Sequence, residues 1–194
     1  MIPGTGIHPR SASATSLKAL CPEIDDSWSS LWYPTRKGED LEELHARTAS
    51  FADVFVPEAE RRMPTHSHIL LVSHAATLIA LIRQLLGEQD LSLRLGCCAL
   101  SDLQRKPGAT VLGGWMAKTL ATGDHLSQGL QRDWGFEDIQ ISDGKVCFRQ
   151  SLIRNSQLTG FHQIISDHGV PGSEDEDEGP VGCQLPGSTI ESHL

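Results

Sequence analysis

His74 stands in the run Ile69-Leu70-Leu71-Val72-Ser73-His74-Ala75-Ala76-Thr77, which leads straight into Leu78-Ile79-Ala80-Leu81-Ile82-Arg83-Gln84-Leu85-Leu86-Gly87. The short apolar run reads as a buried strand that stops at Ser73-His74. Small residues then open an apolar segment of helix length, which Gly87 ends. One imidazole is thereby expected at the carboxyl end of a strand and beside a helix N-terminus. Ligands of open α/β sheets bind at the carboxyl ends of strands. A helix N-terminus offers unpaired N–H groups and partial positive charge, which suit phosphate. The chemistry that follows is anion binding, with Ser73, His74 and Ala75 as the phosphate-binding residues. The competing reading is a buried histidine whose ring is satisfied by a backbone carbonyl. Ser73 is not in a G-x-S-x-G frame, which argues against a hydrolase nucleophile elbow.

Other reactive side chains carry less. Arg36, beside Lys37, is a further phosphate-binding candidate, and the pair reads equally as a solvated loop. His66 and His68 stand at a strand entry, and no further Cys or His at ligand spacing joins them. A solvated turn is the reading there, and no metal or cofactor is expected. Cys97 and Cys98, as neighbours on a strand, point to opposite faces, one of them as a small core residue. Asp124-His125 and Asp167-His168 look like acid–base pairs. Neighbours in sequence do not normally face each other, so both read as surface loops.

The positioning elements can be read from spacing. Residues 1–38 are rich in Pro, Gly and Ser and look irregular; Trp28, Trp32 and Tyr33 imply that the segment packs on something. Glu39-Asp40 introduce Leu41, Leu44, Thr48, Phe51, Ala52 and Phe55, one face of a helix that should end at Pro57. Residues 97–104 read as a second strand, Lys106-Pro107-Gly108 as a turn, and Thr110-Val111-Leu112 as a third strand. Ile139–Ile141 and Val146–Phe148, joined by Ser142-Asp143-Gly144, read as a hairpin. Alternating helices and strands favour an α/β sheet.

Composition narrows the class. The chain of 194 residues fits one domain plus a tail. A net charge of −9 argues against a general nucleic-acid-binding surface, which would be basic. Glu174–Glu178 reads as a solvated acidic run, and everything after about residue 168 as unstructured. The five cysteines are odd in number and contain no C-x-x-C pair, which favours a reduced intracellular compartment, cytoplasmic or nuclear. Met1 to Arg10 has no apolar core of a signal peptide, and no apolar run approaches a membrane span.

The V-S-H-A-A-T stretch within Ile69–Gly87 resembles the second-histidine motif of the histidine phosphatase superfamily, the phosphoglycerate-mutase-like proteins. Tyr33-Pro34-Thr35-Arg36-Lys37-Gly38-Glu39-Asp40, with the helix after it, resembles the segment preceding that motif. Together with His8-Pro9-Arg10 and Gly96-Cys97-Cys98, the pattern over roughly residues 7–165 is similar to a fungal subgroup. That subgroup is related to the tau subunit of the polymerase III transcription factor TFIIIC. The resemblance implies a three-layer α/β/α sandwich, with His74 clamping phosphate and stabilising transition-state charge.

The departures matter as much. The family's nucleophile and first phosphate-holding arginine sit in an R-H-G motif, and this sequence contains no such triplet. The resemblance therefore implies a fold truncated at its N-terminus and a domain inactive as given. The expected division is an irregular segment over 1–38, the α/β domain over 39–168 and an acidic tail over 169–194. Two functions follow from the resemblance. One is a phosphomonoester phosphatase or mutase relative whose activity needs an N-terminal part. The other is a non-catalytic interaction module of a transcription factor. The partners expected are a weakly bound phosphate or phosphorylated small molecule and transcription-complex subunits, without direct nucleic-acid binding and without a membrane.

Overall fold

The computed structural model describes residues 10–36, 38–142, 145–148, 165–166 and 179–186. In chain order the elements are α1 (Ala14–Lys18), β1 (Trp32–Tyr33), α2 (Leu41–Arg62), α3 (Ala75–Leu86), β2 (Leu95–Cys97), β3 (Leu100–Arg105), β4 (Trp115–Thr122) and β5 (Gln131–Trp134). A 3-10 turn at Phe136–Asp138 precedes β6 (Ile139–Ser142), β7 (Lys145–Phe148), β8 (Ile165–Ser166) and β9 (Gly182–Cys183). The fold is α/β. Its strands form four small sheets, β1-β9, β2-β5, β3-β4 and β6-β7-β8. Every pairing among the described residues is antiparallel. The described residues fall into two compact units, one drawn from 1–69 and 170–194, the other from 70–169.

In the first unit, α2 begins where the sequence places it. The Asp40 carboxylate accepts the Glu43 N–H at 2.8 Å, and the Glu43 carboxylate accepts the Asp40 N–H at 2.8 Å. This reciprocal capping box satisfies two N–H groups that the first turn leaves without partners. Leu44, Thr48 and Ala52 are buried, and Phe51 stacks on Phe55 with ring centroids 5.1 Å apart. Leu41, expected on the same face, is half exposed at 49%.

The helix does not stop at Pro57 but continues to Arg62. Proline inside a helix removes one hydrogen bond and typically costs about 3 kcal/mol. Here Pro57 faces solvent, where water can serve the orphaned carbonyl, and the turn beyond it is well held. Ala59 is buried, and the Glu58 carboxylate accepts from the Arg61 guanidinium at 2.7 Å and from Arg62 Nε at 2.5 Å.

Residues before α2 pack as their aromatic content implies. The Arg62 guanidinium lies 4.5 Å from the Trp28 ring centre, and Arg10 lies 4.5 Å from that of Tyr33. Trp32 pairs with Cys183 and Tyr33 with Gly182. The Gln184 N–H donates to the Leu31 carbonyl at 2.9 Å, and an Arg10 N–H donates to the Pro180 carbonyl. A strand thus lies within the stretch read as an unstructured tail. The acidic run Glu174–Glu178 lies outside the described residues.

The core of the second unit is Ile79, Ile82, Leu93 and Leu95, with Leu78, Leu86, Leu103, Trp134 and Phe136 packed against it. α3 supplies this core through its apolar face and ends as read, at Gly87 in the left-handed region with φ 75°. The Gly87 N–H donates to the Gln84 carbonyl and the Glu88 N–H to the Arg83 carbonyl at 3.0 Å, the double bond of a Schellman cap. A Cβ on Gly87 would stand 2.9 Å from the Gly113 Cα, so the helix end and the loop before β4 meet backbone to backbone.

The predicted hairpin is present in register, Ile139 opposite Phe148 and Ser142 opposite Lys145. Its turn residues Asp143 and Gly144 lie outside the described residues. The Lys106-Pro107-Gly108 turn is also present, closed by the Ala109 N–H to the Lys106 carbonyl at 3.1 Å with Gly108 at φ 69°. The strand expected at Thr110–Leu112 is absent. Local bonds bend that segment, with Thr110 Oγ1 donating to the Leu112 carbonyl at 2.7 Å and Trp115 Nε1 to the Val111 carbonyl at 2.8 Å. The strand starts instead at Trp115, after Gly113 at φ 68°.

Two further readings are corrected. Ile69–Val72 is not a strand in this structure and is not buried: Leu70 is 74% and Val72 86% exposed, and residues 66–74 pair with no strand. An apolar run is buried only when elements close over both its faces, and the described residues provide no neighbouring strand for this one. Cys97 and Cys98 do not continue one strand. β2 ends at Cys97, and β3 begins only at Leu100.

Candidate anion site at the start of helix α3

His74 is the N-cap of α3, with φ −95° and ψ 156°. Its carbonyl accepts the Leu78 N–H at 3.0 Å, the first bond of the helix. The early N–H groups of an α-helix have no partner within it. A Ser, Thr, Asp or Asn at this place would accept one of them through its side chain. His74 makes no such side-chain cap. Ser73 and His74 are exposed and Ala75 is half buried, so these N–H groups and the imidazole share one solvent-facing junction. The arrangement can draw an anion through backbone N–H groups, the positive helix end and, when protonated, the imidazolium. The reading of His74 as a buried core histidine is set aside by its exposure.

The structure thus brings Ser73, His74 and Ala75 together at one helix start, though a segment without strand pairing leads into it where a strand was expected. Arg36 is half buried in the loop between β1 and α2 of the first unit and makes interactions of its own.

His66 and His68 are exposed, and Ser67 Oγ lies 2.8 Å from His68 Nδ1. Among the described residues no three His, Cys, Asp or Glu side chains gather as a metal site would require. Asp124 and His125 sit in an exposed turn after β4, where the Asp124 N–H donates to Thr122 Oγ1 at 3.3 Å. Asp167 and His168 lie outside the described residues.

Two features escaped the sequence reading. The first is Arg83, 6% exposed on the core side of α3. Its Nε donates to the Leu91 carbonyl at 2.9 Å, its guanidinium lies 5.1 Å from the Phe136 ring centre, and Glu137 is 3.8 Å away. It ties α3 to the loop before β2. The signal was a single cation inside an otherwise apolar helix. The second is a cleft of about 500 Å³ lined by Thr122, Asp124, Leu126 and Leu130, close to a smaller one of about 250 Å³ that includes Cys97, Cys98 and Gln131. Gly123 and Gly129 in that stretch were its sequence signal.

The sequence profile of the histidine phosphatase superfamily (branch 1) matches residues 12–118, more than half of the chain and including the His74 junction. The chain belongs to that superfamily. It is similar to the transcription factor tau 55 kDa subunit of Saccharomyces cerevisiae, at 28% identity over 161 residues. The similarity takes in 69% of this chain and 37% of that relative, so the chain spans little more than a third of the relative's length. Among the described residues no helix is long and apolar enough to cross a membrane.

Proposed function

We propose that this chain is a histidine-phosphatase-type domain that binds phosphate-like anions at the His74 junction, does not turn over phosphoesters by itself, and serves as an interaction module in a larger assembly. One observation carries the catalytic half: the 194 residues contain no Arg-His-Gly triplet. Covalent catalysis needs the attacking group itself. Phosphoryl transfer also needs cations on the equatorial oxygens, and removing members of such a unit leaves only residual rate. His74 on a helix N-terminus can hold an anion and cannot replace that set. The subunit character named for the yeast relative supports the interaction half, and a net charge of −9 favours a basic protein surface as partner. A nuclear location follows from that reading.

The finer architecture we propose is the family's three-layer α/β/α sandwich, a reading that rests on the superfamily match over residues 12–118.

The test is direct. The purified chain should not hydrolyse p-nitrophenyl phosphate or sugar phosphates above background. Turnover that vanishes in His74→Ala would overturn the reading. Inorganic phosphate should shift the His74 ring signals and the backbone amide signals of Ala75 in NMR, because the free N–H groups of the helix start attract the anion. Affinity should be on the order of millimolar, about 4 kcal/mol. Shifts centred on Arg36, or none at all, would remove the anion site and leave the interaction module alone.

A further inference from the structure

We propose that Cys97 and Cys98 form a dithiol site for a soft, thiophilic centre that bonds two thiolates at once, a copper(I) ion or a trivalent metalloid such as arsenic. Both thiols are exposed, and both line the cleft of about 250 Å³ together with Leu126 and Gln131. The pair occupies the two central positions of a reverse turn, closed by the Ala99 N–H to the Gly96 carbonyl at 3.1 Å. Cys98 takes the left-handed conformation, φ 60°, that glycine normally fills. The same chain uses glycine for the equivalent place 10 residues later, Gly108 at φ 69° in the turn closed by Lys106 and Ala109. The turn is held firmly. Cys97 pairs with Gln131, and a Cβ on Gly96 would stand 3.0 Å from the Gln131 carbonyl.

Chemistry selects the ligand. Neighbouring Cα atoms are about 3.8 Å apart across a trans peptide. Disulfides usually span about 4.4–6.8 Å between Cα atoms, so direct closure of this pair is strained. One atom placed between the sulfurs enlarges the ring and relieves that strain. Zinc wants four ligands, and among the described residues no third His, Cys, Asp or Glu completes a group with the pair. Thiolate pairs suit copper(I) and other soft centres. With an arsenous oxide R–As=O, two S–H bonds break and two As–S bonds form. The two protons leave with the oxygen as water, and arsenic stays trivalent.

The full reduced chain is titrated with phenylarsine oxide. One arsenical should bind per chain with loss of two titratable thiols. The adduct should map to the tryptic peptide Leu95–Arg105, resist glutathione and come off with 2,3-dimercaptopropanol. Cys97→Ser and Cys98→Gly, the latter suited to the left-handed turn, should each lose the glutathione-resistant adduct. The combined Cys21→Ser, Cys147→Ser and Cys183→Ser variant should keep it. Copper(I) held against bicinchoninate by that combined variant assigns the site to copper; arsenical binding without copper retention assigns it to metalloids. An adduct that survives in Cys98→Gly, maps elsewhere, or never forms overturns the proposal, as does zinc held as firmly as copper(I).

Discussion

At the end of α2 one carboxylate, Glu58, accepts from two guanidinium groups, and its side chain is only 10% exposed. The hydrogen bonds from Arg61 and Arg62 hold its carboxyl well below the usual 4.5, down to about 2. A depressed carboxyl stabilises the fold fully above its unfolded value. That contribution fades as pH falls from about 4.5 toward 2. The melting-temperature gap between the wild-type chain and Glu58→Gln should therefore be constant above about pH 5 and shrink below it. A gap independent of pH down to about pH 3 would show that the carboxylate charge plays no part. Glu58 illustrates what spacing could not show: with Pro57 read as a stop, Glu58, Arg61 and Arg62 fell outside the helix whose last turn brings them together. Cys98 is similar. Cys97-Cys98-Ala99 reads as the start of a strand, and only the left-handed backbone at Cys98 makes it part of a turn.

Among the elements, the start of α2 and the end of α3 were legible because each carries local chemistry. The Asp40–Glu43 capping box and the Gly87 cap each act within a few residues, where sequence is informative. Asp40→Ala should lower stability by about 1 kcal/mol in denaturant titration. Gly87→Ala should cost more, roughly 1–2 kcal/mol or above. Alanine there must hold φ 75° and also push against the Gly113 backbone. A Gly87→Ala chain as stable as the parent would mean that the helix end is free to move from Gly113. Thr110–Leu112 and Ile69–Val72 were misread for a different reason. Both have strand composition, but whether a strand forms depends on a partner, which no local pattern reveals. The residues of the proposed anion site were legible for the helix half of the junction, and the strand half was not.

For the molecule as a whole, the exposed run from Ile69 to Val72 is the main liability. Such a segment offers backbone and apolar side chains to any neighbouring chain. Light scattering should show association that rises with concentration. Leu70→Lys with Val72→Lys should reduce it without lowering the melting temperature, because those side chains are 74% and 86% exposed. Unchanged association in that variant would place the contact elsewhere. The pairing of β1 with β9 has a kinetic consequence. Trp32 and Tyr33 lie some 150 positions before their partners Cys183 and Gly182, with the whole second unit between them in the chain. At roughly 5–20 residues per second, a ribosome needs on the order of 10 s to cover that gap. The α3 core, by contrast, closes over contacts between residues 75 and 136. Short loops close first. The inserted unit can therefore be complete while Trp32 still waits for its strand, and the first unit is the last to fold on the growing chain.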